Sequence, residues 1–160
     1  FDGNSRVLVL GSFPSVKSRE GRFFYHHPQN RFWKMLACCF GEASCRGNVC
    51  EGSVPARIEE KRAFLLAHGI ALWDVIESCE IHGSSDSSIR NVVPNDLGKI
   101  LEAAPIRQIC CNGAASYRLY EKYLEEKTGR KAVRLPSTSP ANAASSLEKL
   151  VEAWKPFLVS

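Results

Sequence analysis

The sequence predicts an α/β fold: a three-layer α/β/α sandwich around a mainly parallel four-stranded sheet. Two observations carry this reading. Short apolar runs alternate along the chain with amphipathic helical patterns, the order expected when helices cross between neighbouring parallel strands. The apolar runs are also continuous rather than alternating, the pattern of strands covered on both faces.

The elements follow in order. Arg6 to Leu10 is an apolar run ended by Gly11. Phe32, Met35, Leu36, Cys39 and Phe40 fall at i, i+3, i+4, i+7 and i+8, one face of a helix. Ala56 to Ala67 is a weaker helical pattern, and Ile70 to Ile76 is the second strand. Leu97, Ile100, Leu101 and Ala104 give a helix with Asn95 as N-cap, leading into the third strand, Ile106 to Cys111. Leu119, Tyr120, Tyr123 and Leu124 give a helix that stops near Gly129, and Ala132 to Leu135 is the fourth strand. Leu147, Leu150, Val151, Trp154, Phe157 and Leu158 form the apolar stripe of a last helix. The polar, Gly- and Cys-rich stretch Gly41 to Ser53 and the Ser/Asp-rich stretch His82 to Asn95 read as surface loops.

At 160 residues the chain suits one compact domain, residues 1–160. It contains no run of eighteen apolar residues and no basic, apolar, small-residue leader, so a soluble cytoplasmic protein is expected. The seven cysteines contain no C-x-x-C pair and no Cys/His metal spacing, which reads as reduced thiols and no structural metal. A different reading is open for Cys45 and Cys50, which could pair or bind something. A net charge of +4 suits a polyanionic partner, yet many proteins that bind none carry as much. No G-K-[ST] follows the first glycine, and there is neither a G-x-S-x-G elbow nor a dinucleotide fingerprint.

In open parallel sheets ligands bind outside the carboxyl ends of the strands. Here those ends are polar: Gly11-Ser12-Phe13-Pro14-Ser15, Asp74 with Ser78, Asn112-Gly113, and Pro136-Ser137-Thr138-Ser139-Pro140-Ala141-Asn142. Arg22 to Trp33 is denser still, with aromatics interleaved among His26, His27, Asn30 and Arg31. Such a stretch can stack on a base and contact phosphates. Equally, Asn30 can cap the following helix while Phe32 and Trp33 enter the core.

His27-Pro28-x-Asn30-Arg31-Phe32-Trp33 resembles the H-P-x-N-R-F-W signature of mismatch-specific uracil-DNA glycosylases, and Gly11-x-x-Pro14 resembles the first motif of their superfamily. Ser137 to Asn142 is similar to the second motif in the variant form of the hypoxanthine-DNA glycosylases, family six. The resemblance implies a metal-free enzyme without cofactor, with water as co-substrate, and the absence of a positioned lysine nucleophile in the motifs reads as a monofunctional one. Its substrate is double-stranded DNA carrying a deaminated base, hypoxanthine first and uracil second, and it acts as a monomer in the cytoplasm, nucleoid-associated when bound. Many superfamily members have Asp or Asn where this chain has Phe13, and an aryl ring holds no water. The family-six resemblance moves that role to Asn30, whose amide can orient water by accepting and donating hydrogen bonds.

The flipped base would then stack on Tyr25 and be bonded by Gly11, Ser12, Phe13 and Asn112, with Asp74 accepting from a base N–H. A structural, backbone-bonded Asp74 is the alternative. Pro14, Ser15, Arg31, Ser137, Thr138, Ser139, Pro140, Ala141 and Asn142 are the DNA-contact candidates, the last six at a helix N-terminus that attracts phosphate. Two roles are open to Arg31, a phosphate contact or a structural pair. Arg118 reads as solvated charge. A non-catalytic module that binds altered bases is the alternative to an enzyme.

Overall fold

The computed structural model describes residues 1–12, 23–25, 28–80 and 90–159. The elements are β1 (Val7–Gly11), α1 (Phe32–Cys39), β2 (Ala43–Arg46), β3 (Val49–Gly52), α2 (Ile58–His68), β4 (Ile70–Asp74), β5 (Ile76–Glu80), β6 (Arg90–Pro94), α3 (Gly98–Ala103), β7 (Gln108–Asn112), α4 (Ala114–Tyr123), α5 (Glu125–Thr128), β8 (Val133–Leu135) and α6 (Leu147–Leu158). The main sheet has the order β4-β1-β7-β8 and every neighbouring pair is parallel. The expected fold class is borne out.

The strand pattern explains the layers. Successive side chains of β1 point to opposite faces. Val7 and Val9 enter one core with Phe32, Leu36, Leu150 and Trp154 of α1 and α6, while Leu8 and Leu10 enter another with Ile100 of α3 and Tyr120 of α4. Each face needs its own helix cover, which is why the run is apolar throughout. Burying side chains such as Phe32 and Leu8 contributes about 1.5–3 kcal/mol each. Among the described residues no helix is long and apolar enough to cross a membrane.

Five expectations are corrected. Gly41 to Ser53 is not simply a loop, because β2 and β3 pair as an antiparallel hairpin across Gly47-Asn48, where Gly47 has φ +58° and supplies the left-handed turn. Cys45 and Cys50 lie opposite each other in it as free thiols. The strand expected over Ile70 to Ile76 breaks after Asp74. There the amides of Val75 and Ile76 turn to the carbonyls of Gly11 and Ser12, and β5 leaves to pair with β6 inside the stretch expected to be a loop. Asn95 does not cap α3: its side-chain amide donates to the Asp74 carbonyl at 2.8 Å, and Asp96 accepts from the Gly98 amide instead.

The last correction bears on function. The first amides of α6 are already bonded, Leu147 to Asn48 Oδ1 at 2.9 Å, Glu148 to the Gly47 carbonyl at 2.9 Å and Lys149 to Ser146 Oγ at 3.2 Å. The hairpin turn and Ser146 thus close the N-terminus that was expected to attract phosphate.

Candidate active site

The carboxyl ends of β1, β4, β7 and β8 open into one cleft of about 570 Å³. Its floor is set by Gly11 and Asp74, which are paired residues in the β1–β4 register. Gly11 is required here for space. A Cβ at this position would stand 2.6 Å from Asp74 Oδ1, closer than real Cβ atoms come to a neighbour, and a tight 3.1 Å from the Tyr25 hydroxyl.

Asp74 is 8% exposed, and its removal from water pushes the carboxyl up to about 7. Tyr25 is the one described non-glycine residue with positive φ, at +53°. A tyrosine there is strained by about 1–3 kcal/mol, and such strain clusters at ligand sites. Its ring packs on Phe32 at 4.2 Å. Its hydroxyl is buried and makes no hydrogen bond of full geometry among the described residues; the Asn112 side chain lies near enough to favour the phenolate, but burial and the nearby Asp74 charge outweigh it and raise the pKa. Buried polar groups are nearly always bonded, so such a hydroxyl beside a buried carboxyl marks a site built for a polar ligand.

The opposite wall is a hydrogen-bonded chain. Asn112 at the end of β7 donates from Nδ2 to Thr138 Oγ1 at 3.0 Å and accepts from the Thr138 amide at 3.0 Å. Thr138 Oγ1 donates to Asn30 Oδ1 at 2.8 Å, and the Phe32 amide donates to the same oxygen at 3.0 Å. The Arg31 amide donates to the Thr138 carbonyl at 3.1 Å. The start of α1 and the loop after β8 are thereby one unit.

Two expected DNA contacts have other roles. Thr138 is fully buried and its hydroxyl already both accepts and donates, so it cannot reach a phosphate. The guanidinium of Arg31 is taken up by three carbonyls of the same loop, donating from Nη1 to Ser145 and from Nη2 to Ser139 at 3.0 Å and Asn142 at 2.8 Å. Of its two open roles, the structural one is observed. Asn112 lines the cleft as expected, with both amide atoms engaged by Thr138.

The remaining candidates divide simply. Ser12, Ser137, Ser139, Ala141 and Asn142 line the cleft, and Pro140 is exposed beside it. Ser137 and Ser139 each accept a backbone amide two residues on, from Ser139 at 3.1 Å and Ala141 at 3.2 Å, which leaves their O–H groups to donate. Asn142 donates to the Ser137 carbonyl at 2.9 Å, and Trp154 of α6 donates to that of Pro136 at 2.9 Å. Phe13, Pro14 and Ser15 lie outside the described residues, as do His26 and His27.

One wall was missed. Gly113, Ala114 and Ala115 bring the uncapped N-terminus of α4 into the cleft, with Arg118 one turn further on. Gly113 directly after an apolar strand was the available signal; its φ of +97° makes the strand-to-helix turn. The positive end of a helix and a guanidinium together favour an anion.

A parallel-sheet α/β/α protein with a polar cleft walled by an Asn-Arg-Phe-Trp helix start and a Ser/Thr-rich loop matches one class of DNA-processing protein. The chain belongs to the uracil DNA glycosylase superfamily, whose family model matches residues 1–158. It is 34% identical over 156 residues to a hypoxanthine DNA glycosylase of Methanosarcina acetivorans, covering 96% of this chain and 90% of the relative. A hypoxanthine DNA glycosylase of Methanosarcina barkeri is 30% identical over 154 residues, covering 96% and 90%. A candidate uracil DNA glycosylase of M. acetivorans, solved in solution by NMR, superposes with a TM-score of 0.76 at 30% identity, covering 99% of this chain and 91% of that one. The family and enzyme class expected from the motifs, a DNA glycosylase, are borne out.

Proposed function

We propose that this chain excises hypoxanthine from double-stranded DNA, taking the flipped nucleotide into the cleft and hydrolysing its N-glycosidic bond with water, with uracil the second base. The observation that supports this most is the meeting of a buried carboxyl, a buried tyrosine hydroxyl and the Asn30 amide in one cleft, in a chain whose relatives are named for this activity.

Each group has a task in that reading. Tyr25 stacks on the base, and the ionised Asp74 accepts from the purine N1–H, a proton that hypoxanthine has and adenine lacks. Asn30 is the catalytic residue. No strong base is needed, because glycosidic cleavage runs through an oxocarbenium-like sugar in which departure of the leaving group dominates the barrier. The bond from the sugar C1′ to the base breaks with its electron pair on the base, water supplies the new C1′–O bond, and the released proton neutralises the base. Ser137, Ser139, Pro140, Ala141 and Asn142 face the DNA, and Arg118 with the α4 N-terminus takes a phosphate. The unit doing this is a single domain of residues 1–160, working as a monomer at the nucleoid.

The test is base release, followed by mass spectrometry, from duplexes that each contain one hypoxanthine, uracil or xanthine. Release of hypoxanthine ahead of the others supports the proposal. Binding to the modified duplex with no base released from any of the three overturns it in favour of a non-catalytic module.

A further inference from the structure

We propose that Asn30 acts on its substrate as a hydrogen-bond donor, held in that orientation by Thr138 and Asn112, and does not accept a proton from the attacking water. This rests on the glycosylase reading above and concerns which end of the amide does the work.

Hydrogen-bond direction fixes the amide. A backbone N–H can only donate, so the side-chain atom of Asn30 lying 3.0 Å from the Phe32 amide is the oxygen. The Thr138 amide fixes Asn112 in the same way: the atom it meets is Oδ1, so Nδ2 of Asn112 is the atom donating to Thr138 Oγ1. A hydroxyl has one proton. Thr138, receiving from Asn112, directs its own proton to Asn30 Oδ1.

That oxygen now accepts two hydrogen bonds, which fills the two lone pairs of a carbonyl. What Asn30 has left for the cleft it lines is the NH2 group, which meets no acceptor among the described residues. Thr138 is fully buried, so water does not compete for this arrangement.

A fixed amide donor suits a dissociative reaction. As the C1′–N bond lengthens, negative charge collects on the departing base, and a donor already aimed into the cleft stabilises it without reorganisation. Thr138 and Asn112 touch no reacting atom in this scheme and are positioning residues.

The deciding variant is Asn30→Asp. Its carboxylate still accepts from the Phe32 amide and from Thr138, so the fold is preserved, but it has no proton to give. Single-turnover excision at saturating enzyme should fall about 100- to 1000-fold at pH 8, as loss of one donor does. Measured against wild type at the same pH, which itself slows as Asp74 takes up a proton, the deficit should shrink as pH drops toward the new carboxyl's own pKa and the acid gains an O–H. An Asn30→Asp rate within a few-fold of wild type at pH 8 overturns the proposal, because only an acceptor role tolerates that change.

Thr138→Val gives a second test, independent of added charge. The predicted outcome is a drop of about tenfold in the single-turnover rate with unchanged duplex affinity, restored by Thr138→Ser. A Thr138→Val rate equal to or above wild type overturns the inference, since freeing the Asn30 carbonyl would then cost nothing. Failure of the wild type to release base from any duplex is a separate result, against the glycosylase reading itself.

Discussion

The guanidinium of Arg31 donates to the main-chain carbonyl of Asn142 at 2.8 Å, joining the first turn of α1 to a loop 111 residues away. With its further bonds to Ser139 and Ser145 it makes the N-R-F-W segment the clamp of the loop after β8.

Arg31→Ala should therefore lower stability by about 2–4 kcal/mol, since several hydrogen bonds from a charged donor are lost together. Thermal melts check the magnitude. The companion measurement is the salt dependence of duplex binding, which should keep its wild-type slope because the guanidinium's donors are directed to main-chain carbonyls.

Arg118→Ala should do the reverse. Removing a phosphate contact reduces the slope of log affinity against log salt by about one and leaves the melting temperature near wild type. Fluorescence anisotropy from 50 to 200 mM salt reads this directly, and an unchanged slope would return Arg118 to the status of solvated charge.

Asp74 gives a pH prediction with a definite sign. Its carboxyl is raised from 3.8 to about 7 by burial, so the folded state holds a proton that the unfolded state releases. Stability is greatest below about pH 4 with respect to this group and is lost as pH rises to about 7, by up to about 4 kcal/mol. Asp74→Asn should remove that slope and be more stable than wild type at pH 8, as chemical denaturation at several pH values would show. Excision by wild type should rise over the same window, because the ionised form is the acceptor for the base N–H.

Gly11→Ala places a methyl 2.6 Å from Asp74 Oδ1 and 3.1 Å from the Tyr25 hydroxyl. The Asp74 carboxyl must move, and the expected cost is about 1–3 kcal/mol with at least a tenfold loss of excision. A variant with wild-type excision would show that the floor of the cleft does not read the base.

What was legible in the sequence and what was not follows from the range of the forces involved. Strands such as Val7–Gly11 and Gln108–Asn112 are readable because burial on two faces leaves a continuous apolar run. The cleft is readable because polar residues end those strands at Gly11, Asp74, Asn112 and Ser137. The Gly47-Asn48 turn carried a hairpin signal that the surrounding polarity obscured. Arg31 was ambiguous because nothing near it in sequence announces carbonyls more than a hundred residues on. Thr138 read as a surface hydroxyl in a Ser-rich loop, and only folding shows it enclosed between Asn30 and Asn112. The α6 N-terminus read as open for the same reason, since its caps come from the distant hairpin.

The most direct test of the central claim is the single-turnover rate of hypoxanthine release from a duplex with one deoxyinosine, measured for wild type and Asn30→Ala. Wild type should release the base and the variant should lose about 100-fold or more of the rate, with the duplex still bound. Equal rates for the two proteins would contradict it, leaving Asn30 as no more than the residue that receives the Phe32 amide at the start of α1.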